Sequence, residues 1–263
     1  MNAPPRLHPQ PEPVAPDWRH AFGGVWRLTF RRLLLPGHWL ALGVGLAVLA
    51  LLLVGGVQGG DAGRFLDWAN HVYVGFLVPV LAFMSAAGAM RDELKSSTVD
   101  YVFTRPMSRP AFVGFKFIAH TLCTHLDFLL PFAVVAFAGV TRGVPDPAAF
   151  MVKLGFAQAL MITAFSALGI LFGTLTSRYI VAGLAYAAII EVGVGQIPTQ
   201  ISRLSLTQQM RELLAILLGR AEAQAHSPGI AGTLGAVALL CLGALGLAAV
   251  LFRRREFGAS ADT

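Results

Sequence analysis

Six apolar runs of roughly membrane-spanning length, separated by short polar segments, leave this chain few folds to choose from. A helix crossing the hydrocarbon core needs roughly 20 mostly apolar residues, and six segments meet that length: 39–57, 71–90, 111–140, 153–176, 179–198 and 230–252. Backbone polar groups in lipid must be satisfied within the segment, so such runs are expected to span as helices. They nearly exhaust the 263 residues, and no soluble domain of ordinary size fits beside them. Only 13% of residues are charged, against about 25% in soluble domains. The expected fold is an all-α integral membrane protein with six transmembrane helices. Residues 1–16, rich in proline and lacking an apolar core, read as a disordered tail and not as a signal peptide. Residues 17–256 read as one transmembrane domain, and 257–263 as a short tail.

The charge pattern orients the chain. With the N-terminus inside, fourteen of the twenty Lys and Arg fall in cytoplasmic segments and six in outer ones, an excess that fixes orientation. Both termini are therefore expected in the cytoplasm of a bacterial inner (plasma) membrane. The net charge of +6 is explained by this asymmetry and by contacts to membrane lipid, so nucleic acid is not an expected partner. Residues 17–35 place Trp18, Phe22, Val25 and Thr29 at helical spacing beside Arg19, Arg27 and Arg31, which suits a helix in the membrane interface. Residues 199–229 carry a second amphipathic pattern, from Leu204 through Met210 to Leu218. This outer connection between helices five and six is too polar to span, and is expected to lie on the outer surface or dip back as a re-entrant lid. Gly169-x-x-x-Gly173 and the glycines of the last run would allow close helix approach.

Few residues carry chemistry. The chain has no G-x-x-x-x-G-K-[ST], H-E-x-x-H, C-x-x-C or G-x-S-x-G, so neither a P-loop nor a familiar hydrolytic centre is legible. Cys123 and Cys241 lie within apolar runs and read as small apolar residues. His120, Thr124 and Asp127 fall near one face of the third run, with His125 further round. A mid-bilayer carboxylate costs roughly 2.5–3.5 kcal/mol, so Asp127 needs a partner or a wet cavity. A metal or proton site and a polar packing patch both fit, and one His-rich helix without a second ligand cluster favours the patch. Glu191, in A-I-I-E-V-G-V-G-Q, is the other embedded acid and would line a cavity or an interface.

The segment 91–116 is ordered in an unusual way: acids first, a helical middle, then Arg105-Pro106 and Arg109-Pro110. Glu93 is followed by Thr98, and Tyr101-Val102-Phe103 leads into Thr104-x-Pro106-x-Ser108-Arg109, with Lys116 at the foot of the next helix. This pattern resembles the permease subunits of ABC-2 type transporters. The likeness extends to the L-G-I-L-F-G-T-L-T-S-R end of the fourth run and the basic finish at Arg253-Arg254-Arg255. The resemblance implies a cytoplasmic coupling helix between helices 2 and 3 that sits in a groove of a separate ATPase. It assigns ATPase coupling to Glu93, Leu94, Thr98, Tyr101, Phe103, Arg105 and Arg109. It also implies a dimer with a second permease copy or paralogue, ATP and Mg bound by the partner ATPase and no cofactor in this chain, and export more than import. Asp127, Glu191 and His120 would then line the pathway or the interface. Lys95-Ser96-Ser97 and Asp100 depart from the family pattern, which implies an ATPase groove of different charge. An ATPase-coupled scaffold doing mechanical or assembly work stays open as an alternative. So does an intramembrane enzyme using a metal on His120, His125 and Asp127.

Overall fold

The computed structural model describes residues 18–56, 61–94, 108–197, 200–219 and 229–254; the tail at 1–16, the short tail at 257–263 and most of the coupling segment lie outside them. Every regular element among the described residues is helical. Helix α1 (Trp18–Leu33) runs to a break at Leu34-Leu35, and Pro36 opens α2 (Pro36–Gly56), where its missing N–H costs nothing. Helix α3 (Ala62–Trp68) passes through a π-helical stretch, Ala69–Leu77, into α4 (Val78–Glu93). Helices α5 (Arg109–Asp127) and α6 (Leu129–Thr141) follow each other with an interruption at Phe128. Pro131 supplies the cause, since it has no N–H to offer the carbonyl of Asp127 one turn back. Asp146 caps α7 (Pro147–Leu175) by accepting from Ala149 N at 3.1 Å. After a tight turn come α8 (Tyr179–Tyr186) and a second π-helical stretch, Ala187–Gly193, then α9 (Leu206–Leu217) and α10 (Gly229–Arg254).

Five helical runs among the described residues are long and apolar enough to cross a membrane: Pro36–Gly56, Ala62–Glu93, Arg109–Thr141, Pro147–Leu175 and Gly229–Arg254. The fifth apolar run of the sequence behaves differently. Tyr179–Gly193 is a shorter apolar helix, which tightens into a 3-10 turn at Val194–Gln196 and becomes extended at Ile197. Ile197 precedes Pro198, and a residue before proline is pushed out of the helical region.

Helix α7 is the axis of the bundle, with Leu154, Met161, Ile162, Ala164, Ala167 and Ile170 buried along it. It lies very close to α4. A Cβ on Gly169 would sit 2.5 Å from the Phe83 carbonyl oxygen, and one on Gly173 would sit 2.5 Å from that of Ala87. The glycines at i and i+4 thus form the groove into which the backbone of α4 fits. The glycines of α10 do not act this way, for Gly235, Gly243 and Gly246 have open space where a Cβ would go.

The core divides in two. A large cluster joins α3, α4, α7 and α9, including Phe65, Tyr73, Leu154, Met161, Met210 and Leu213. A smaller one joins Val25 of α1, Met90 and Leu94 of the α4 end, Phe112 and Val113 of α5, and Ala248 and Phe252 of α10. In α1 the apolar stripe is spent on this second cluster: Val25 and Thr29 are buried, and the Phe22 ring meets Phe115 edge-on at 5.5 Å. Phe22, Val25 and Thr29 of the stripe therefore rest on protein, while Trp18 at its start stays 62% exposed.

Candidate functional site

Two buried carboxylates stand at opposite ends of the bundle. The first is Glu93, in the last turn of α4, where only 2% of the residue is exposed. Its Oε1 accepts from Lys116 Nζ at 2.9 Å, and Lys116, about two turns into α5, is fully buried. Ammonium and carboxylate are both expensive to desolvate, and the pair is tolerable only because each neutralises the other. Thr29 of α1 closes the node: its hydroxyl lies 3.5 Å from Lys116 Nζ and donates to Val25 O at 2.9 Å. Three helices thus meet on one ion pair, at the root of the segment 95–107. Leu94 packs into the smaller core cluster beside it. Arg109, at the far root of the same segment, donates from Nη1 to Arg253 O at the end of α10, 3.2 Å away.

The second carboxylate is Glu191, in the π-helical stretch after α8 and 7% exposed. Its Oε2 accepts from Ser205 Oγ at 2.8 Å, Thr207 N at 2.9 Å and Thr207 Oγ1 at 2.7 Å, while Oε1 accepts from Tyr186 Oη at 2.8 Å. Ser205 is the N-cap of α9 and also accepts from Gln208 N. The carboxylate therefore sits on the N-terminus of a helix, where unpaired N–H groups and the helix dipole favour negative charge. Helix α9 packs its apolar face on the bundle, with Leu206, Met210, Leu213 and Leu214 buried. Arg211 lies against Gly75 of the first π-helical stretch, where a Cβ would come within 3.0 Å of Arg211 Cδ. Asn70 Nδ2 donates to Arg211 O at 3.2 Å, and Arg211 also donates to Gln208 Oε1. Burial pulls the Arg211 guanidinium below its ordinary value, while the carboxylates of Glu212 and Glu191 push the other way. Gly75 and Glu93 are separated by about 27 Å of helix at about 1.5 Å per residue.

Asp127 lies between these sites. Its Oδ1 is 2.9 Å from His38 Nε2 in the first turn of α2, and each side chain is about one-quarter exposed. His120 does not join that pair; its Nε2 meets Thr124 Oγ1 at 3.2 Å. His120, His125 and Asp127 do not combine with other His, Cys, Asp or Glu side chains into a group of three suited to a metal among the described residues. Of the coupling residues read from sequence, Glu93, Leu94 and Arg109 are placed as above, and Thr98, Tyr101, Phe103 and Arg105 lie outside the described residues.

The partners were the part the sequence concealed. Thr29, Ser205, Thr207 and His38 carried no motif, and Lys116 was legible only as a family match. One signal was available for Lys116: an ammonium in the middle of F-V-G-F-K-F-I-A-H demands a counter-ion, and Glu93 is the acid at the end of the preceding helix. Residues 32–193 match the family model described as ABC-2 family transporter protein. No curated protein matches the chain.

Proposed function

This chain belongs to the ABC-2 transporter family, as a multi-pass membrane permease of an ABC transporter, and on that premise we propose that it is the ATPase-coupled half of an exporter. Two permease copies, or this chain with a paralogue, form the pathway between them, and separate ATPase subunits bind ATP and Mg on the cytoplasmic face of a bacterial inner membrane. The termini are cytoplasmic, the sixth span is completed by Tyr179–Gly193, and α1 lies at the inner headgroup level with Arg27 and Arg31 exposed. Residues 91–109 carry the coupling contact: Thr98, Tyr101, Phe103 and Arg105 face the ATPase, and Glu93, Leu94 and Arg109 fix both roots of the segment. Asp127, Glu191 and His120 act inside the bundle and its interfaces.

The observation that carries this reading is the Glu93–Lys116–Thr29 node. A push on residues 95–107 reaches α4 at Glu93 and α5 at Arg109 directly. The buried pair then ties those helices to each other and to α1, so the three respond as a unit. A pair stripped of water is stiff, because any sliding that separates the charges leaves one of them buried alone. The test is to replace residues 95–107 with a Gly/Ser linker of equal length and to purify the permease with its cognate ATPase. The permease should still insert and purify as a folded protein while the ATPase no longer accompanies it. Retention of the ATPase by that variant would remove the coupling assignment.

A further inference from the structure

We propose that Glu191 is a positioning residue for α9: its carboxylate is the catch that holds α9 as a lid over the end of the bundle away from the Glu93–Lys116 node. The inference rests on the transport reading above and extends it to that second end. Three features of the seat point to a releasable joint. First, Glu191 is held directly by hydroxyls and one backbone N–H; the Arg211 guanidinium feels its charge but makes no ion pair with it among the described residues. Donors of this kind can be exchanged for water without leaving a counter-charge buried, unlike a buried ion pair. Second, the rest of the seat is incompletely satisfied: Asn70 Oδ1 and Arg211 Nε are buried and find no hydrogen-bond partner. Such atoms oppose the seated state, which leaves Glu191 as a principal polar hold on it. Third, α9 rests on both π-helical stretches, Ala69–Leu77 through Asn70 and Gly75, and Ala187–Gly193 through Glu191. A π-helical turn carries an extra residue and is a weak point of a helix, found often at functional sites. Glu191 also belongs to a helix that is mostly uncovered, with Val181, Leu184, Ile189 and Val192 all more than half exposed. A rotation of that helix takes Glu191 off Ser205 and Thr207 and frees α9.

The test uses the full chain with its ATPase in proteoliposomes, with Cys123 and Cys241 replaced by Ala and Met210→Cys as a reporter buried beneath α9. The rate of reaction with a membrane-impermeant maleimide is measured with and without ATP; Leu214→Cys serves as a second reporter. ATP should speed labelling by about tenfold, the size expected when hydrogen bonds to a charged group are lost. T207A and E191Q should label at the fast rate without ATP, while T207S, which keeps the hydroxyl, should restore ATP dependence. Slow labelling that ATP leaves unchanged, in a complex that hydrolyses ATP, overturns the lid and leaves the coupling reading intact. Absence of a bound ATPase instead overturns the coupling reading, and in that case equal labelling of T207A and T207S overturns the catch as well.

Discussion

Glu93 and Glu191 are both carboxylates buried at the end of a helix, and their surroundings are opposite. Glu93 faces a fully buried lysine; Glu191 faces hydroxyls and the N-terminus of α9. The first arrangement resists separation, since pulling the helices apart strands a charge. The second strands no counter-charge when water replaces its neutral donors. On the proposed coupling, the stiff joint stands where force would enter and the releasable one where the lid would lift.

Substitutions can break this contrast at several strengths. The largest effect is expected at the stiff joint. K116M or E93L alone should destabilise the protein by about 3–5 kcal/mol, because the remaining charge is buried without its partner. The double variant E93L/K116M should recover most of that loss, since apolar replacement of a buried pair is often neutral; thermal unfolding in detergent compares the three. Next comes the α4–α7 contact. G173V drives a side chain into the Ala87 carbonyl, 2.5 Å from the Cβ position, and overpacking of this kind costs about 1–3 kcal/mol. The releasable joint is expected to be softer: S205A removes the N-cap of α9, worth about 1 kcal/mol, and should appear as faster amide exchange confined to that helix. The smallest effect belongs to H38A. Its partner Asp127 is about one-quarter exposed, so losing the pair strands less buried charge than at Glu93. A large loss at His38 would show that Asp127 matters more to the bundle than its exposure implies.

Much of this was legible in the sequence, for reasons that differ by region. The spanning helices announce themselves because lipid permits little else; α10 begins and ends within two residues of its apolar run, while α7 begins six residues before its own. Gly169 and Gly173 signalled a close approach through their spacing, and the structure supplies its partner, the α4 backbone at Phe83 and Ala87. In α10, by contrast, Gly235, Gly243 and Gly246 are not four apart and meet nothing within the chain. Composition cannot say which face of a helix is covered. The fifth run exceeded its helix because hydropathy counts Ile197 and ignores what Pro198 does to it. Side-chain partners were least legible: Glu191 meets Ser205 and Thr207 across fourteen and sixteen residues, a separation that no local periodicity encodes. The π-helical stretches also carried no sequence mark.

The stiffness of the node is open to a direct measurement. Spin labels are placed on the exposed Arg27 of α1 and the exposed Arg178 of the turn between α7 and α8, in E93L/K116M and in the parent chain, each reconstituted with the ATPase. Pulsed dipolar distances are recorded with and without ATP. The parent should show a distance change on ATP binding, and the double variant should bind the ATPase and hydrolyse ATP with the distance unmoved. The same ATP-dependent change in E93L/K116M would contradict the role assigned to the Glu93–Lys116 pair.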